Sequence, residues 1–198
     1  MQNNLENKTI QILEELGFVC VGGSSRPQRF KKQISCLDIK AEMIYSYTPY
    51  TSSRQESYLK IYLKNNEIVM YIFDWLEISK EKIEEIYAFY SFISHLIYYL
   101  FDSVFSINFA FSGFEISKDM IRFDVIYAES NAQELIILYD SVEKNIKCFM
   151  YVSELHDFSK SVHVTYDEVM EKDHNKLAQE KVKNIHKMII KSVQDQAY

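Results

Sequence analysis

The chain has 198 residues, room for one domain or two small ones, and 47% hydrophobic with 25% charged residues is the composition of an ordinary packed protein. A net charge of −6 argues against sequence-independent nucleic-acid binding, which needs a basic surface. Four Gly and two Pro leave little room for linkers or low-complexity tails.

The N-terminus, "MQNNLENKTIQILEEL", has no basic region followed by an apolar one and does not read as a secretory signal. Leu5, Ile12, Leu13 and Leu16 recur at a helical period, and Gly17 is a stop. "FVCVGG" reads as a strand and "SSRPQRFKKQ" as a basic, irregular loop. Further strands follow at "ISCLDIKAEMIYSY", "SYLKIYL" and "IVMYIFDWL", the last two joined by a turn at "KNNE".

Ser79 is placed to cap a long helix, with Lys80 to Glu85 as its solvated first turns. The helix continues through "IYAFYSFISHLIYYLF", residues 86–101, in which His95 is the one ionisable group apart from the tyrosines. Sixteen residues fall short of the roughly 20 that a membrane span needs, and no Lys/Arg cluster flanks them. The expectation is a core helix first, a partner-facing helix second, and no stable membrane insertion.

The order then returns. "FSINFAFSGFEIS" and "MIRFDVIYAES" read as strands, and "ELIILYD" with "IKCFMYVSEL" as a hairpin around "SVEKN". Thr165 with Glu168 forms a capping box for a last helix, whose apolar stripe runs Val169, Ala178, Val182, Ile185, Ile189, Val193. "IKAEMIY" (39–45) matches "IRFDVIY" (121–127) at an offset of 82, and "MYIFDWLEIS" (70–79) matches "MYVSELHDFS" (150–159) at an offset of 80. The fold class expected is α+β: two helix-plus-antiparallel-sheet units in pseudo-repeat, order αββββαββββα. They make a single domain of two similar halves, 1–78 and 79–164, closed by a C-terminal helix, 165–195.

Catalytic signatures are missing. There is no GxSxG elbow, Walker loop or GxGxxG, and the five histidines form no HExxH or close i, i+4 pair. His95 reads as a hydrogen-bonded core residue and His174 as part of a solvated charged face. The adjacent Glu14–Glu15 and Glu84–Glu85 point apart on their helices and cannot share a substrate. Cys20, Cys36 and Cys148 form no CxxC pair or zinc-type cluster and read as reduced, mostly buried thiols of a cytoplasmic protein. No enzyme activity, metal or cofactor is expected.

Two tracts stand out. Arg26, Arg29, Lys31 and Lys32 put four cations in seven residues around Phe30, which suits an acidic peptide or a phosphate; the plainer reading is a solvated loop. The tract "YSYTPYTSSRQESY" carries Tyr47 and Tyr50, amphipathic rings of the kind interfaces use, or else rings that cover the sheet. The protein-binding candidates are therefore Arg26, Arg29, Phe30, Lys31, Tyr47 and Tyr50.

The segment "LIYYLFDSVFSINFAFSGFEISKDMIRFDVIYAES" (96–130), a helix running into a strand with "GFEI", a turn and "IRFDVIY", resembles the central part of the type III secretion chaperone-like superfamily, including its YbjN-type relatives. The likeness covers about a third of the chain. The chain is also similar in size and acidity to type IV secretion adaptors of the Legionella LvgA kind. The resemblance implies a small, acidic, cytoplasmic protein that binds another protein and does no chemistry. The partner expected is an effector or secretion component, and a homodimer is compatible with the sequence. An immunity, antitoxin or phage anti-defence protein, bound to a toxin or another protein target, is the alternative from a different class.

Overall fold

A computed structural model describes residues 2–22, 28–37, 39–47, 55–63, 66–74, 79–101, 109–117, 120–127, 133–140, 142–151 and 161–196. The chain divides into two units, Met1–Ser91 and Phe92–Tyr198, and the division falls inside the long helix.

In the first unit, α1 (Gln2–Glu15) ends where the sequence places its stop. Gly17 takes φ 80, a left-handed conformation that costs L-residues about 1–2 kcal/mol. Its N–H donates to the Glu14 carbonyl and that of Phe18 to the Leu13 carbonyl, both at 2.9 Å. This is a Schellman closure, and its usual apolar pair is present as buried Leu13 and Phe18. The sheet that follows has the order β1-β2-β3-β4-β5, all antiparallel. β1 is only Val19–Cys20, while β2 (Gln28–Cys36), β3 (Ile39–Tyr47), β4 (Gln55–Leu63) and β5 (Asn66–Asp74) are nine residues each.

Two expectations are corrected here. The basic stretch is a strand from Gln28 onward, because Phe30, Ile34 and Cys36 alternate inward while Arg29, Gln33 and Ser35 face out. The run from Ile34 is not one strand either. It breaks after Cys36, which pairs with Ile39 of the next strand, and Leu37 takes φ 43.

The long helix, α2, is Lys80–Phe101. Ser79 Oγ accepts from the Lys82 N–H at 3.1 Å, the cap expected of it. The first turns are not wholly solvated: Glu85 is buried and held by Lys82 at 3.0 Å, while Glu84 is exposed. Phe89 to Ile97, nine consecutive residues, are all buried. Nine residues make about two and a half turns, so that stretch presents no side to solvent. No helix among the described residues is long and apolar enough to cross a membrane.

The second sheet has the order β10-β9-β8-β7-β6: β6 (Phe109–Ser117), β7 (Met120–Tyr127), β8 (Gln133–Asp140), β9 (Asn145–Tyr151) and β10 (Ser161–Val164). The β6–β7 register shifts between Ser112 and Phe114, a bulge at Gly113. The single closing helix is in fact two, α3 (Tyr166–Glu171) and α4 (His174–Gln196). Lys172 is extended, and Asp173 restarts the chain by accepting the N–H groups of Asn175 and Lys176 at 2.9 and 3.3 Å. The capping box stands as read: Thr165 accepts from the Glu168 N–H, and the Glu168 carboxylate accepts from the Thr165 N–H. Val169, Ala178, Val182, Ile185 and Ile189 of the expected stripe are buried.

The fold is thus α+β in pseudo-repeat, with one strand more in each half than expected. The shared part is a four-stranded meander, β2–β5 and β6–β9. Leu59 and Ile61 of β4 are fully buried, and so are Leu135 and Ile137 of β8. When these are made equivalent, the ladders place Met70 with Met150, Tyr71 with Tyr151, and Met43 with Phe123. The offset is then 80 in both outer matches. The match of 70–79 to 150–159 is in register over its strand residues, and that of 39–45 to 121–127 slides by two residues. A shift of two keeps every side chain on its own face.

Candidate protein-binding edge

The sequence candidates concentrate at one end of the β2–β3 ladder. Arg29 pairs with Ser46 and Gln28 with Tyr47, so the backbones of Arg29 and Tyr47 are brought together there. Arg26 and Tyr50 lie outside the described residues. Phe30 is separated from its neighbours by the strand's own pleat. It is 2% exposed and stands in the core, which overturns its reading as a ring offered to a partner.

The cations differ in what holds them. Lys31 lies 3.5 Å from Glu42, and Lys40 lies 3.4 Å from the same Oε1. The Tyr62 hydroxyl donates to the other oxygen of Glu42 at 3.4 Å. Glu42 is therefore buried with partners on both oxygens, as a buried carboxylate must be. Lys32 breaks the apolar alternation of β2 by laying its ammonium 4.2 Å from the Tyr87 ring centroid and 5.9 Å from that of Phe18. The Tyr87 hydroxyl donates to the Gln33 carbonyl at 3.2 Å, and burial pushes its pKa up. Arg29 is exposed.

Beside these cations runs β1, whose place at the sheet edge no local sequence pattern signals. Val19 pairs with Lys31, Cys20 with Phe30, and the Val21 N–H donates to the Arg29 carbonyl at 2.8 Å. Val19 is 62% and Val21 46% exposed, high values for valines on a sheet. Cys20 is exposed as well, whereas Cys36 and Cys148 are buried, with pKa values pushed by burial to about 12. Apolar side chains, an outward cation and the outer side of a short strand coincide at this edge.

A second polar cluster, in the second unit, escaped the sequence reading. The Tyr99 hydroxyl donates to Asn175 Oδ1 and accepts from Gln179 Nε2 at 2.7 Å, tying α2 to α4. His174 is half-buried between the exposed Asp173 and Lys176. Its Nε2 lies 2.7 Å from the Val169 carbonyl, which can only accept, so that nitrogen carries the proton. The His95 and His174 rings lie 6.5 Å apart, centroid to centroid. Lys181 is buried and donates to both oxygens of Glu168 and to the His163 carbonyl, each at 2.9 Å. Burial alone would raise the Glu168 pKa, but hydrogen bonds from Lys181, the Thr165 N–H and Lys172 outweigh it and hold the carboxyl near 2. These contacts join α2 and α3 to α4, and Lys181 joins α4 to β10.

Among the described residues no group of three or more His, Cys, Asp or Glu could hold a metal ion. No family model, no curated protein and no solved structure matches this chain.

Proposed function

We propose that this protein works by binding another protein, as a cytoplasmic, non-catalytic chaperone or adaptor. The observation that supports this best is the β1 edge, where Val19, Cys20 and Val21 are exposed beside the outward Arg29. Exposed apolar residues rimmed by charge mark interaction sites, and sheet edges bind partners through main-chain pairing. The enclosed stretch Phe89–Ile97 of α2 is not offered as a binding face, so the alternative route through that helix is set aside. The resemblance of residues 96–130 to secretion chaperones makes an effector or secretion component the partner to look for first.

The test is a complex isolated from native extract, its partner identified, and both components purified and recombined. A stoichiometric complex that re-forms is expected. A chain that stays alone under every extraction condition rules the reading out.

A further inference from the structure

In an antiparallel ladder the residues that exchange hydrogen bonds with one neighbour alternate with those whose N–H and C=O point the other way. The Val21 N–H is bonded to the Arg29 carbonyl, so the Val21–Arg29 and Val19–Lys31 pairs are the bonded ones. The main-chain groups of Cys20, between them, point to the open side. Directly opposed residues also share a face of the sheet. Val19 stands on the face of Lys31, and Val21 stands on that of Arg29.

We propose that this edge takes an extended, acidic segment of the partner as an added strand, exchanging main-chain hydrogen bonds with Cys20 and setting carboxylates beside Val19 and Val21, toward Lys31 and Arg29. The inference rests on the protein-binding reading above and supplies the chemistry of the partner segment.

The geometry limits what fits. The added strand lies two spacings of about 4.8 Å from β2, a gap that an Arg or Lys on one side and a Glu on the other bridge together. Its residue opposite Cys20 turns to the inner face, so the residues on either side of it carry the acids. Two carboxylates of the first unit are already engaged: Glu42 with Lys31 and Lys40, and Glu15 at the end of α1 with Gln11 at 2.9 Å. Farther along β2 the Tyr87 hydroxyl occupies the Gln33 carbonyl, which takes that acceptor away from a strand added along β2 beyond the β1 stretch.

Cys20 supplies the readout. It is the exposed thiol of the three, and the two buried ones stay protonated at neutral pH, so disulfide exchange reports on the edge. The probes are blocked peptides of alternating valine and glutamate with one central cysteine, their lysine counterparts, and the glutamate peptide N-methylated at that cysteine. Each is equilibrated with the full chain in a glutathione buffer, and the mixed disulfide is measured by mass spectrometry. The net charge of −6 favours the lysine peptide at long range, so the two predictions oppose each other. The glutamate peptide is expected to form about tenfold more adduct than the lysine peptide, the scale of a few well-placed charge contacts. N-methylation should remove the advantage. So should Arg29→Glu with Lys31→Gln, where glutamine is chosen at 31 because a glutamate there would face Glu42. Equal adducts from both charges, more from the lysine peptide, none from either, or an unaffected N-methylated peptide overturns the proposal. A native partner that binds the double variant in full leaves protein binding standing and removes this edge from it.

Discussion

The two sheets share a meander and differ in the strand added to it. In the first sheet the addition, β1, is two residues beside β2 at the beginning of the meander, with Val19 and Val21 exposed. In the second it is β10, four residues beside β9 at the end, with Val164 fully buried. β10 runs directly into the Thr165 capping box, and Lys181 of α4 takes both the His163 carbonyl and the Glu168 carboxylate. Among the described residues, one added strand is bolted to helices and the other has its side chains exposed. Edge strands are a hazard that proteins usually shorten, charge or cover. In a repeat of this kind, what each copy does with its extra strand decides which edge is free to work.

The bolt carries the largest expected effect. Lys181→Ala leaves Glu168 partly buried without its main counter-charge. Removing one partner of a buried pair costs 3–5 kcal/mol, and with Glu168 22% exposed we expect about 2–3 kcal/mol. Urea denaturation measures it, and hydrogen exchange should show the loss concentrated in β10 and α3. The pH dependence follows from the depressed pKa. A carboxyl held near 2 when folded and at its ordinary 4.5 when unfolded stabilises fully above 4.5, and loses that contribution as pH falls toward 2. The stability gap between the native chain and Glu168→Gln should therefore be widest at neutral pH and close on acidification through that window. A gap that does not change between pH 7 and pH 3 would show that the carboxylate's charge contributes nothing.

Val164→Ala comes next. The side chain is wholly buried, and losing two methyl-sized groups there costs about 1.5–2.5 kcal/mol by transfer and cavity terms. Tyr87→Phe is smaller. It removes one hydrogen bond, at 3.2 Å, worth about 0.5–1.5 kcal/mol, and frees the Gln33 carbonyl on the open side of β2. The variant should lengthen the usable edge, so concentration-dependent association in sedimentation should rise although stability falls. Lower stability with no added association would show that the hydroxyl does not guard the edge.

What could be read from the sequence was what four or five neighbouring residues decide among themselves. Thr165 with Glu168, Ser79 at the start of α2 and Gly17 at the end of α1 each act within one turn of chain. β2 does not show as a strand in the sequence because Lys32 sits on its inward face, and the rings of Tyr87 and Phe18, from elsewhere in the chain, make a cation tolerable there. The β2–β3 turn was invisible because Leu37 accepts a positive φ without the Gly or Asn that normally signals one. Lys181 falls beside the apolar stripe of α4, and its reason, Glu168, comes within reach only because the chain breaks at Lys172 and Asp173. Of the candidate residues, Arg29 and Lys31 could be found by charge alone. The adjoining Val19 and Val21 could not, since an exposed valine and a buried one are written identically.

The smallest effect on stability belongs to Val19→Lys, and it tests the comparison most directly. Val19 is 62% exposed, so replacing it should change unfolding free energy by no more than about 0.5 kcal/mol, the range of ordinary surface substitutions. Its pairing with Lys31 keeps the main-chain ladder intact. A lysine there nevertheless does what natural edges do against unwanted pairing, since its charge is stripped of water when another strand arrives. If β1 is an open edge in solution, the variant should keep its Tm while self-association through this edge is reduced and an acidic strand added at Cys20 binds at least as well as before. If the edge is idle, neither measurement moves. If Val19 is covered in solution, Tm falls as it does for Val164→Ala, and the contrast between the two added strands is lost.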